Sequence, residues 1–496
     1  MKPVVTGKEM KKIDTYTIEQ IGIPSLVLME RAAWSMIQRM LPFIEKHTPI
    51  VSVCGAGNNG GDAVAAARIL YGMGYHASIY MAGNSEKWTQ ETKKQILIAR
   101  NIGVPEYNEL DLSRIEVVID GLFGIGLSSD IREPYAQIIK SINCWRASNS
   151  QSSIWSVDIP SGICSDTGRI LGQAVKADYT VTFGYMKRGL ILNPGKGCAG
   201  ICYVEDIGFP EKSLKEHPVQ CFYMAEEDLS LLPKRLEDSN KGDYGKILVV
   251  AGSKNMSGAA YFAAKAAYTM GAGLVRVLTE EANRIIIQTQ LPQAMVSVWE
   301  ELTNETFNEI FNWADAVVVG PGIGTSDVMK QRIEKVFSKV QCPLIVDADG
   351  LNLLAKNEIW YDKLNVPVIV TPHMGEMSRL TGKTIQTLKR DRVNYAMNYA
   401  QAYNVCCVLK DSSSVITDGQ HVCLNCTGND GMATGGSGDV LSGIIGALAG
   451  MRLDPFKAAC LGAMIHGMAG DIAAKYYGKR SMTSVELIEG LIEVLK

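Results

Sequence analysis

Residues 431–443 read GMATGGSGDVLSG, and the apolar run VLSGIIGALAG (440–450) grows out of them. Glycine carries no Cβ and tolerates positive φ, so successive N–H groups of such a run can converge on an anion where a helix starts. The apolar continuation reads as that helix, with its N-terminal dipole and free N–H groups aimed at the same spot. This is the loop-to-helix junction of an α/β sheet, and phosphate is its expected guest. The P-loop pattern GxxxxGK followed by Ser or Thr is absent. A carboxylate such as Asp439 beside phosphate repels it, unless it has a chemical task such as accepting a proton from an attacking hydroxyl. The bland alternative is a tight turn before a buried helix, with Asp439 as a helix-start cap.

Working backward from this stretch, short β-rich runs recur: KILVVAGS (246–253), LVRVLT (274–279), AVVVGPG (316–322), PLIVDADG (343–350), VPVIVTPH (366–373) and CCVLKDSSSVIT (406–417). Helix-length segments separate them, among them the Ala-rich GAAYFAAKAAYTMGAG (258–273), whose small side chains permit close packing on a sheet. A second such series occupies residues 50–210: IVSVCGAG, ASIYMAG, IEVVIDGLFG, SIWSVDIPSG and DYTVTFG. Both halves are therefore α/β with largely parallel sheets, and each presents glycine-rich turns at strand ends, where ligands bind. Helical spacing of apolar residues from Lys8 to Met40 predicts helices packed on the first sheet. The charged, proline-punctuated region 210–240 carries the boundary, giving domains at 1–215 and 225–496.

Composition narrows the partners. At 496 residues the chain exceeds one core, and a net charge of -3 argues against nucleic acid or an anionic membrane. The amino terminus lacks an apolar signal core and no apolar run reaches membrane-span length, so a cytoplasmic protein is expected. The 12 cysteines are scattered through apolar stretches, as reduced thiols would be. Cys423 and Cys426 have CxxC spacing with His421 nearby, open to zinc or redox chemistry, yet the segment also alternates like a strand and no second CxxC occurs.

In VCGAGNNGGDAVAAARIL (53–70) a strand meets a Gly/Asn turn and a helix, offering N–H groups to a dinucleotide's phosphates without being a GxGxxG. Asn58 and Asn59 add amides and Asp62 a carboxylate. Two further strand ends carry Asp120 and the pair Asp158 and Ser161. Oxygen ligands of this kind suit a hard cation better than zinc, although each could equally be turn chemistry.

Together GNNGGDA (57–63), IDGLFGIGL (119–127), VDIPSGI (157–163) and TFGYMKRGLILNPGKG (182–197) resemble the NAD(P)H-hydrate epimerase family over nearly all of residues 1–210. The resemblance implies a Rossmann-like fold and a substrate-binding loop at Asn58, Asn59, Gly60, Gly61 and Asp62. It extends that site to Gly124, Ile125, Gly126, Leu127, Ser128, Ser129 and Asp130. It also implies potassium ligands at Asn59, Asp120 and Ser161, and a catalytic aspartate at Asp158. Ala63 replaces a glycine frequent in the family. Epimerising a hydroxyl carbon beside a ring nitrogen requires reversible proton handling, without hydride transfer.

The opening loop, with GPGIG (320–324), VDADGLNLL (346–354), TPHMGEMSRL (371–380) and LKDSSSVI (409–416), resembles the ADP-dependent NAD(P)H-hydrate dehydratases over roughly 225–496. That resemblance implies a ribokinase-like fold, so both domains should be three-layer α/β/α. It implies adenine-nucleotide contacts at Lys410, Asp411, Ser412, Ser413, Ser414 and Gly438. Hydrate contacts fall on Ala259, Gly322, Gly324, His373 and Asp439. Asp439 is then the base that lets the ring hydroxyl attack phosphorus, with Mg²⁺ on the phosphates. The family's HPGE appears as HMGE, which should loosen the turn at His373, and its Lys-Gly appears as KD, placing the Asp411 charge near nucleotide. The expected substrates are NADHX or NADPHX and ADP, in a self-associating chain. The rivals are a ribokinase-like small-molecule kinase, an ordinary NAD-dependent oxidoreductase and a non-catalytic cofactor-binding module.

Overall fold

Alternation along the strands explains why both faces of each sheet are covered. In the strand Ile50–Cys54, Ile50 and Cys54 join one buried cluster with Leu28, Ala33 and Leu70, whereas Val51 and Val53 join another with Ile139 and Ile142. Successive side chains point to opposite faces, so helices pack on both and three layers result. The computed structural model describes residues 1–357, 361–362 and 364–496. It separates into residues 3–219 and a second unit of residues 220–496 with residues 1–2. Among the described residues no helix is long and apolar enough to cross a membrane.

The N-terminal unit holds seven parallel strands in the spatial order Glu106–Tyr107, Ala77–Met81, Ile50–Cys54, Val117–Gly121, Ser153–Val157, Tyr179–Phe183, Ile201–Glu205. The order reverses between Ile50–Cys54 and Val117–Gly121, and such a reversal opens a crevice beyond the strand ends. The helices expected between Lys8 and Met40 form as Gly7–Tyr16 and Ser25–Met40, joined by a π-helical turn, and Leu28, Ala32 and Met36 of the second pack on the sheet. Thr6 starts the first helix by a capping box with Glu9.

In the C-terminal unit the strands run Met295–Val298, Leu274–Thr279, Lys246–Val250, Ala316–Val319, Leu344–Val346, Val368–Val370, Cys406–Leu409, all parallel. Val415–Thr417 and Val422–Leu424 then continue antiparallel, and Cys221–Tyr223 adds to Val422–Leu424 in parallel. That last strand lies in the charged, proline-punctuated region 210–240 that carries the boundary; at three residues it is too short to display periodicity. Helices Ser257–Thr269, Ser437–Gly450 and Pro455–Tyr477 bury one sheet face, and Leu248, Val250, Val317 and Val319 on the other face are fully buried as well.

Candidate functional site

Strand ends of the N-terminal unit open into a cavity of about 1100 Å³. Asn58, Asn59 and Asp62 reach it from the start of the helix Asn58–Gly72, residues 124–129 from the loop after Val117–Gly121, and Asp158 from the end of Ser153–Val157. Gly60 and Gly61 are buried and do not line it. A Cβ on Gly60 would lie 1.9 Å from the Gly55 carbonyl oxygen, so this glycine lets the helix start press onto the strand end. Asp130 is exposed and outside the lining.

Asp158 has φ 62°, a left-handed conformation that costs a non-glycine residue about 1–3 kcal/mol and that clusters at functional sites. Its Oδ1 accepts from the Lys187 ammonium at 2.5 Å and from the Thr182 hydroxyl and the Phe183 N–H at 3.1 Å each. Lys187 is 1% exposed and also donates to Thr182 Oγ1 and to the Phe183 carbonyl. Lys187 and Asp14 both line the cavity, and the sequence reading missed both. Lys187 stood inside the quoted TFGYMKRG stretch, where a lysine amid apolar residues is a usable signal. Asp14 lies in no motif. Burial, then the charges of Asp158 and Glu91, raise the Asp14 carboxyl.

The three residues expected to hold a cation come together. Asp120 is fully buried and accepts from Ser161 Oγ at 2.6 Å, Ser161 N at 2.9 Å and Ser156 Oγ at 2.9 Å. Asn59 Nδ2 donates to the Phe123 carbonyl, and the Phe123 N–H donates to Ser161 Oγ. Burial raises the Asp120 carboxyl, because these hydrogen bonds only partly offset its desolvation. A buried carboxylate surrounded by neutral oxygens is a donor set that fits a hard monovalent cation.

In the C-terminal unit Gly436, at φ 87°, caps the helix Ser437–Gly450, and Asp439 stands in its first turn. Burial and then the charge of Asp347 push the Asp439 carboxyl up to about 7, against the pull of Lys410. Asp347 is itself fully buried and accepts from Lys410 Nζ at 2.7 Å and Ser442 Oγ at 2.6 Å. Burial acts to raise Asp347, but the Lys410 charge and these hydrogen bonds outweigh it and hold the carboxyl below its ordinary range. A Cβ on Gly438 would lie 3.3 Å from Lys410 Nζ, so the KDSSS segment meets the helix start. One on Gly322 would lie 2.8 Å from Ala259 Cβ, and the Gly324 N–H donates to Asp349 at 2.9 Å. Of the serines, Ser412 is exposed, Ser414 half-buried and Ser413 buried.

Two expectations are corrected here. The HMGE turn is not loose. His373 accepts from Gly375 N at 2.9 Å and Glu376 N at 3.3 Å while Glu376 accepts from His373 N at 2.8 Å, so a capping box ties the turn without a proline. Nor does Asp411 offer a bare charge to the nucleotide, because the buried Arg392 guanidinium donates to it at 2.7 Å. As for CxxC, Cys423 is buried in the strand Val422–Leu424, and no group of three or more His, Cys, Asp or Glu among the described residues is placed to hold a metal ion.

The family model for NAD(P)H-hydrate dehydratase matches residues 247–493, and that for the YjeF-related protein N-terminus matches 25–189. A bifunctional NAD(P)H-hydrate repair enzyme of Thermofilum pendens is 36% identical over 99% of this chain and 96% of its own length. The chain belongs to that family. A member from Escherichia coli is 34% identical over 98% of this chain and 93% of its own length. Among solved structures, the ADP/ATP-dependent NAD(P)H-hydrate dehydratase of Bacillus subtilis, co-crystallised with ATP and Mg²⁺, aligns with a TM-score of 0.50 at 32% identity, covering 55% of this chain and 97% of that one. A ribokinase-like protein of Enterococcus faecalis aligns equally, with a TM-score of 0.50 at 27% identity over 55% of this chain and 95% of its own. The N-terminal half of this chain is therefore an epimerase and its C-terminal, ribokinase-like half a dehydratase.

Proposed function

We propose that the N-terminal cavity interconverts the R and S forms of NAD(P)H-hydrate with Asp158 as its acid/base group, and that Asp439 dehydrates the S form at the expense of ADP. The observation that carries the second assignment is a half-buried carboxylate in the first turn of a glycine-led helix, with a lysine alongside. Asp439 takes the proton of the ring hydroxyl, and the freed oxygen attacks the β-phosphorus of ADP, releasing AMP. The ring-nitrogen lone pair then expels phosphate, and loss of a proton from the adjacent ring carbon restores reduced nicotinamide. Lys410, the Gly438 backbone and the serines 412–414 bind and orient the nucleotide in this reading. Ala259, Gly322, Gly324 and His373 face the hydrate. Asp411, neutralised by Arg392, adds no repulsion. Mg²⁺ would accompany the nucleotide phosphates and spread their charge.

In the epimerase half, Asn59, Asp120 and Ser161 would hold K⁺, with the Phe123 carbonyl among them. Its charge would compensate the buried Asp120 carboxylate and polarise the substrate's oxygens. Asn58, Asp62 and residues 124–129 are proposed as the walls that hold the dinucleotide. Gly60 and Gly61 serve it through packing. The cysteines form no disulfide among the described residues, which supports a reducing, cytoplasmic location. Exposed Leu26, Val27 and Trp34 on the helix Ser25–Met40 support self-association. The test is to supply mixed hydrate epimers with ADP, with ATP and with neither. Reduced-cofactor absorbance should return with nucleotide, while chromatography shows epimer exchange without it. A phosphorylated product in place of reduced cofactor would make the C-terminal half a kinase.

A further inference from the structure

Asp158 accounts for one acid/base group of the epimerase cavity and leaves two carboxylates of that cavity unused. Asp14 reaches it from the helix Gly7–Tyr16 and Asp62 from the helix Asn58–Gly72. Among the described residues, neither carboxylate accepts a hydrogen bond or an ion pair. All three donors to Asp158 fall on Oδ1, so its Oδ2 is free for substrate. Lys187 is the buried cation here; Lys8, Lys11 and Lys87 line the cavity as exposed side chains, and Glu91 stands beside Asp14. Three carboxylates share one buried ammonium, and like charges gathered in one cavity favour the protonated form of one of them. Burial first, then the charges of Asp158 and Asp14, hold the Asp62 carboxyl well above the usual carboxylate range, with Lys187 opposing.

Resting on the epimerase reading, we propose that Asp62 is the general acid of the epimerisation, working with Asp158 as base in the same cavity. Asp62 gives its proton to the ring hydroxyl. The C–O bond breaks, water leaves, and the ring-nitrogen lone pair forms a cationic C=N bond. Water then adds to the opposite face: Asp158 Oδ2 takes one of its protons, the new C–O bond forms, and the C=N pair returns to nitrogen. The proton on Asp158 passes back to Asp62 through solvent, so no atom or electron is gained or lost.

The test follows the oxygen. In H₂¹⁸O, wild-type enzyme should place ¹⁸O in the hydroxyl of both hydrates at the rate of epimer exchange, after the enzyme-free rate is subtracted. Asp62→Asn should slow exchange by about 10²-fold or more, the scale of a lost general acid, while leaving ADP-driven dehydration of the S form unchanged. Because Asp62 must be protonated, wild-type kcat/KM for epimerisation should fall as pH rises through its elevated pKa. The residual rate of Asp62→Asn should lack that descending limb, and Asp62→Glu should restore part of the rate. Epimer exchange without ¹⁸O uptake, Asp62→Asn within threefold of wild type, or a descending limb retained in that variant would each overturn the proposal. The ¹⁸O and wild-type pH measurements decide it even where the variant fails to fold. Wild-type enzyme that exchanges no epimers would instead overturn the epimerase reading itself.

Discussion

Asp439 stands in the first turn of a glycine-led helix and Asp158 at a strand end, and their surroundings differ. Asp439 must be ionised to act as a base, and its carboxyl is raised to about 7. The dehydration rate should therefore climb as pH rises through about 7 and level off above it. Asp439→Asn keeps the capping capacity of the helix start, so it should fold, bind nucleotide, lose about 10²-fold or more in reduced-cofactor recovery and show no such climb. Near-normal recovery would make this aspartate a structural cap. Asp158 is instead tied to Lys187, and removing one partner of a buried pair typically costs about 3–5 kcal/mol because the other charge stays behind. Lys187→Met should lower the thermal transition of the N-terminal unit and abolish most epimer exchange, as calorimetry and chromatography would report. An unshifted transition would show that the pair contributes nothing to folding.

At the scale of elements, the helix Ser437–Gly450 reaches its place because its glycines admit neighbouring backbone. A Cβ on Gly443 would sit 2.1 Å from the carbonyl oxygen of Ala263 in the helix Ser257–Thr269, a backbone atom that cannot swing aside. Gly443→Ala should destabilise the C-terminal unit by about 1–3 kcal/mol, read as a lower unfolding temperature. Gly435→Ala is the control. A Cβ there meets nothing within 4 Å, so its effect should stay within about 0.5 kcal/mol. Equal effects would mean that interhelical contact is not what glycine serves at 443. The two helices carry Ala259 and Asp439 respectively, so the same close approach that packs them sets the spacing of two residues proposed to face the hydrate.

For the whole molecule, two chemistries in one chain make sense because the dehydratase accepts one epimer and the other is stranded without the epimerase. Asp158→Asn should confine enzymatic repair to the S form, leaving the R form to slow spontaneous conversion. Rapid recovery of both epimers would remove Asp158 from the mechanism. Replacing K⁺ by Li⁺ should slow epimerisation and spare dehydration, since the smaller ion would require shorter distances from the proposed ligands Asn59, Asp120 and Ser161. Epimerisation indifferent to the cation would argue against that site.

Much of this was legible in the linear order of residues. Strand alternation, the glycine turns and a carboxylate beside each of them are local patterns, spanning a few residues, and local sterics and burial dictate them wherever they occur. Thus Asp439 at its helix start, Asp120 and Ser161 each near its own strand end, and the α/β class of both halves needed no coordinates. What neutralises those carboxylates was decided by tertiary structure. Lys187 lies 29 residues from Asp158, and Arg392 lies 19 from Asp411. Asp14 joins the cavity only because its helix packs there, and Cys221–Tyr223 becomes a strand only because Val422–Leu424 offers it an edge. Propensity and periodicity act along the chain, whereas desolvation and Coulomb energy depend on distances through space that only the folded arrangement sets.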